Sequence, residues 1–148
     1  MKNKVLIAVD LSESSVEVIS KGIAFAIRMD AAVLITSIVP IYVDYLQSQM
    51  ALVPTQWDII YTDQKEAAVK ELLQIKEKNP GVVIDILVEI GNPKYDVIEQ
   101  AINQEANYIV VGTHGRTGWS HALIGSTAEY IIRHSAIPVL VIPMKKAK

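Results

Sequence analysis

Val5-Leu6-Ile7-Ala8-Val9-Asp10-Leu11-Ser12 is the stretch from which the fold can be read. Five apolar residues in succession leave no wet face. A strand built from them needs cover on both sides, as a parallel strand between two helical layers has. The run stops at a carboxylate and a hydroxyl, which suits a turn into a helix. Ser12 is placed as the N-cap of that helix. Val16, Ile19, Ile23 and Ile27 then recur at intervals of three and four, and are expected to form its inward stripe. The opening unit is therefore a buried strand followed by an amphipathic helix.

The same alternation continues along the chain. Ala32–Val39, Val82–Ile90, Tyr108–Val111 and Val139–Ile142 read as further strands rich in Val and Ile. Between them, Ala68, Leu72 and Ile75 mark a second helix, with Glu66, Lys70, Glu71, Lys76 and Glu77 on its wet face. Asn92-Pro93 is a cap followed by proline at the first helical position, and Val97, Ile98, Ala101 and Ile102 are the stripe of the third helix. A fourth begins near Ser126, turns Ile131 and Ile132 inward and ends before Pro138. The order β-α-β-α-β-α-β-α-β predicts an α/β fold: an open, doubly wound, five-stranded parallel sheet, Rossmann-like, with helices on both faces.

The 148 residues set the expectation of one domain, residues 1–148. Hydrophobic residues make up 51% and charged residues 20%, enough apolar material for a full core. With 14 basic and 16 acidic residues the formal net charge is −2, which argues against a protein that coats nucleic acid. Cysteine is absent, so disulfides, thiolate nucleophiles and cysteine-held metals are excluded. No apolar run is long enough for a membrane span or a secretion signal, so a cytoplasmic location is expected.

One connection is long. Pro40 to Pro54 carries Tyr42, Tyr45, Leu46, Met50 and Leu52, so it is either a short extra helix on the domain edge or a lid or partner-contact loop. Thr55-Gln56-Trp57-Asp58 resembles a capping box with Asp in place of Glu, and the second helix is expected to start there.

Ligands of open α/β sheets bind beyond the carboxyl ends of the strands, where the winding reverses. With the first strand central, the turns after the first and fourth strands flank that crevice. The first turn carries Asp10, whose carboxylate could bind a ligand or merely cap the helix. The second runs from Gly112-Thr113-His114-Gly115-Arg116 to Gly125-Ser126-Thr127 and has the makings of a phosphate cradle. Its glycines let backbone amides approach an anion, Ser126 and Thr127 add hydroxyls at a helix N-terminus, and Arg116 adds a positive charge. His114 could donate to the ligand or face solvent. A P-loop is excluded, since no GxxxxGK[ST] occurs, and the dinucleotide glycine fingerprint is missing after the first strand. No acid–histidine cluster shows metal-ligand spacing.

Gly112-x-x-Gly115, nine residues, then Gly125-Ser126 resembles the G-2x-G-9x-G-[ST] signature of the ATP-binding branch of the universal stress proteins. The resemblance spans essentially the whole chain. It implies strand order 3-2-1-4-5 and a site for ATP, with AMP or ADP as related ligands and Mg²⁺ arriving on the nucleotide. By that resemblance Asp10 contacts ribose or the metal-bound phosphates, Ala8 and Val9 line the wall, and the backbone of Ile38 meets adenine. Gly112, Thr113, His114, Gly115, Arg116, Gly125, Ser126 and Thr127 surround the triphosphate. It also implies a homodimer formed through Val139, Leu140, Val141 and Ile142, an apolar edge that would otherwise invite unwanted pairing. Three functions stay open: a nucleotide-dependent stress sensor, a slow ATP hydrolase, and a nucleotide-free docking module.

Overall fold

The computed structural model describes residues 2–41, 54–114 and 124–144. Five strands, β1 (Asn3–Ala8), β2 (Ala31–Pro40), β3 (Ile84–Gly91), β4 (Tyr108–Gly112) and β5 (Val139–Ile142), form one sheet of order β3-β2-β1-β4-β5. Every pairing is parallel: Val5 lies opposite Val33 on one side and Tyr108 on the other, and Gly112 lies opposite Ile142. Among the described residues four helices connect them: α1 (Ser15–Arg28), α2 (Pro54–Glu77), α3 (Pro93–Asn103) and α4 (Ser126–His134).

The continuous apolar runs divide between two cores by simple alternation. Val5, Ile7, Val33, Ile35 and Val110 face α1 and α2, while Leu6, Leu34, Ile109 and Val111 face α3 and α4. Successive side chains of a strand point to opposite faces, so a run without polar gaps is what two covered faces require. β3 lies at one edge and carries exposed Asp85 and Glu89, which discourage further pairing there.

The helical stripes are rotated from the positions that large apolar residues suggest. α1 buries Ser15, Val18, Ile19, Gly22, Ile23 and Ala26, whereas Val16 is 73% exposed and Ile27 also faces solvent. Close approach is the cause: a Cβ at Gly22 would stand 2.6 Å from Ile7 Cδ1, so the sheet-facing line is occupied by small residues. α3 buries Val97 and Ala101 but exposes Ile102, and α4 buries Ile131 but exposes Ile132. One helix start is displaced too. The N-cap of α1 is Ser14, not Ser12, and it makes no side-chain cap bond. α2 runs from Pro54, within one residue of the start expected at Thr55.

The start of α3 follows the sequence reading. Asn92 is the N-cap; its Oδ1 accepts the Lys94 amide at 3.1 Å, while Asp96 Oδ2 accepts the Asn92 amide at 2.8 Å. Asn92→Ala removes one arm of this reciprocal cap and is expected to cost about 1 kcal/mol of stability. Urea unfolding checks it, and an unchanged midpoint would show the cap to be redundant.

Candidate functional site

β1, β2 and β4 are neighbours in the sheet, so their carboxyl ends open on one rim. The ladder runs on past β1, with the Val9 amide donating to the Thr36 carbonyl at 3.0 Å. Asp10 follows at once. Its Oδ1 accepts the Ser12 amide at 3.0 Å and the Ser15 hydroxyl at 3.2 Å, which secures the turn into α1. Leu11 between them has φ 61°, a left-handed conformation that a branched side chain adopts at a cost of order 1 kcal/mol. Two bonds to one carboxylate oxygen hold that strained turn. Asp10 thus has a structural task at the crevice, whatever else it binds.

Across the rim, Gly112 closes β4. A Cβ there would meet Val18 Cγ2 at 2.8 Å, so the absent side chain lets α1 press against the end of the strand. Thr113 is the clasp of the site. Its amide donates to the Ile142 carbonyl at 3.0 Å, its Oγ1 accepts the Met144 amide at 2.9 Å, and its carbonyl accepts the Gly125 amide at 2.6 Å. His114 Nδ1 lies 3.0 Å from the same Oγ1. One residue therefore ties the end of β4 to the exit of β5 and to the start of α4.

Gly125 is the N-cap of α4, with φ −58° and ψ 152°, and as a glycine it brings no capping side chain. The first intrahelical bond runs from the Glu129 amide to the Gly125 carbonyl at 2.9 Å. The amides of Ser126, Thr127 and Ala128 precede it in the first turn, where an α-helix leaves its N–H groups without intrahelical acceptors. These three donors at the positive end of a helix dipole suit an anion. The Gly125 amide itself donates to the Thr113 carbonyl, so the donors at this helix start are the amides that follow it. No described glycine has positive φ, so the absence of a Cβ is what glycine contributes here.

The structure brings Ala8, Val9, Asp10, Gly112, Thr113, His114, Gly125, Ser126 and Thr127 to the ends of β1 and β4 and the start of α4. Ile38 lies two residues inside the end of β2, its side chain buried against the α3–α4 core, so only its backbone could serve a ligand. Gly115, Arg116 and positions 42–53 of the long connection lie outside the described residues. Sequence reasoning missed the Ala128 amide, which follows once Gly125 is the N-cap, and the Met144 contact, which nothing in the local pattern signals. Among the described residues no group of three acidic, histidine or cysteine side chains could hold a metal, and no helix is long and apolar enough to cross a membrane.

Comparison with known proteins agrees with this geometry. The profile described as "Universal stress protein family" matches residues 1–143. Universal stress protein MJ0531 of Methanocaldococcus jannaschii is 31% identical over 147 residues, covering 97% of this chain and 83% of that one. The solved structure of protein MJ0577 of the same organism superposes with a TM-score of 0.83 at 23% identity, covering 99% of both chains. A universal stress protein solved in complex with cAMP gives a TM-score of 0.67 at 19% identity, covering 97% of this chain and 98% of that one.

Proposed function

Since this chain belongs to the universal stress protein family, we propose that its crevice binds an adenine nucleotide, ATP foremost, as a signal in the stress response. The observation that carries the reading is the start of α4 behind a glycine N-cap, with three first-turn amides, held against the end of β4 by Thr113. A phosphate chain fits those donors in charge and in number. The cAMP complex of a protein of the same fold supports the adenine nucleotide class. In this reading Ala8, Val9 and the Ile38 backbone line the base and ribose, and Gly115 and Arg116 complete the phosphate contacts. Mg²⁺ is carried on the nucleotide, with Asp10 as its nearest carboxylate. The β5 edge, where Val139, Leu140 and Val141 are only half-buried, pairs two copies.

Calorimetric titration with ATP, AMP and cAMP in the presence of Mg²⁺ tests the reading. Saturable binding at micromolar to low millimolar nucleotide is the expected result, and none at several millimolar would overturn it.

Signalling is preferred to turnover because Asp10 Oδ1 is already committed to Ser12 and Ser15, which leaves it poorly suited to orient an attacking water. Single-turnover phosphate release should therefore be slow and should change less than about threefold in Asp10→Asn, small beside the 10²–10⁴-fold of a general base. Several turnovers per second, abolished by that substitution, would make the protein a hydrolase.

A further inference from the structure

Away from the crevice, a cavity of about 160 Å³ opens between β3 and α3. Leu87 and Glu89 of the strand and Asp96, Glu99, Gln100 and Asn103 of the helix border it. Gln100 is the unusual member, a polar side chain only 4% exposed. Its Oε1 accepts from the hydroxyl of Thr36, itself fully buried on β2. Its Nε2 is buried and, among the described residues, has no partner. Both protons of that NH₂ are unmet, an arrangement that buried polar groups seldom tolerate. The oxygen is committed to the sheet, so the NH₂ is the limb of the carboxamide left for an occupant of the cavity.

That donor and the walls around it select the chemistry of the occupant by elimination. Nε2 needs an acceptor, and an ammonium group has none to give. A carboxylate or phosphate has acceptors but would stand beside Glu89, Asp96 and Glu99, which repel it. Asp96 Oδ2 already accepts the Asn92 amide, and the two glutamates at the rim can accept further donors. A hydroxyl meets both demands, since it accepts through its lone pairs and donates through its proton. The volume holds about five water-sized groups at about 30 Å³ each, room for a short chain of hydroxyl-bearing carbons. We infer that this cavity binds a small neutral polyol. One hydroxyl accepts from Gln100 Nε2, the carbon chain lies on Leu87, and the outer hydroxyls donate to Glu89 and Glu99.

The probe is meso-erythritol, titrated into the ¹⁵N-labelled full chain and followed by backbone and side-chain amide shifts. The expected result is saturable change in the millimolar range, centred on the Gln100 NH₂ pair and spreading over Leu87–Glu89 and Asp96–Asn103. Diaminobutane and succinate, one lacking acceptors and the other donors, should leave the Gln100 pair where it is. Gln100→Met keeps the length of the side chain without its polar atoms and should abolish binding. It should fold, because the Thr36 hydroxyl keeps the Leu87 carbonyl at 3.1 Å as its acceptor. Glu99→Ala should weaken binding roughly tenfold, the order of one charge-assisted hydrogen bond. Glu99 is exposed, so this variant decides the matter even if the Gln100 variant is unfolded. No saturation at several hundred millimolar would leave water as the sole occupant and overturn the assignment. Equal affinity in Glu99→Ala, or an equal response to either charged probe, would overturn it too.

Discussion

Gly125→Val should raise the dissociation constant for ATP by about 100-fold or more while leaving the fold in place. The backbone at this position has φ −58° and ψ 152°, a region that valine occupies freely. Glycine is favoured over valine at an N-cap, and the stability cost should be about 1 kcal/mol, as for the loss of a cap. Binding is another matter, because the new methyl groups would stand over the amides of Ser126, Thr127 and Ala128. Each charge-assisted hydrogen bond contributes about 1.5–3 kcal/mol, so losing two exceeds the factor of 100. Calorimetry on both proteins measures the ratio, and thermal unfolding shows that the variant is folded. An affinity within threefold of the parent would remove the start of α4 from the binding account.

Leu72→Ala should be the most damaging simple truncation in α2. Leu72 is 0% exposed in the core between α2 and the sheet, and emptying such a site costs about 2–5 kcal/mol. For a chain of this length that lowers the unfolding midpoint by about 10 °C. Its neighbour Leu73 is 44% exposed, and Leu73→Ala should stay within about 0.5 kcal/mol. The contrast, read by denaturant unfolding of both variants, tests the rotational setting of the helix. Equal losses would mean that α2 presents a different face to β2 and β3.

Those two leucines also show what a sequence can disclose. The spacing of Ala68, Leu72 and Ile75 sets α2 correctly because its other faces are crowded with charge. α1 lacks that contrast. The size of Val16 and Ile27 draws the eye, yet the sheet is approached through Gly22 and Ala26, whose value lies in being small. Hydrophobicity ranks residues by what they gain from burial, whereas close packing selects them by the room they leave. The candidate site divides similarly. Positions along the turns after β1 and β4 are legible, since strand ends and glycines mark them. The destination of each amide is not, because the bonds from Gly125 to Thr113 and from Met144 to Thr113 join segments that come together only after folding.

The bond from Met144 to Thr113 bears on how the protein should be handled. Backbone leaving β5 is fastened directly to the turn that faces the ligand crevice, whereas Asn3 begins β1 at the far end of the sheet, roughly 20 Å away at about 3.3 Å per residue. A fluorophore, affinity handle or fused reporter attached beyond Met144 therefore pulls on the same knot that positions α4. Attached ahead of Asn3, it leaves that knot untouched.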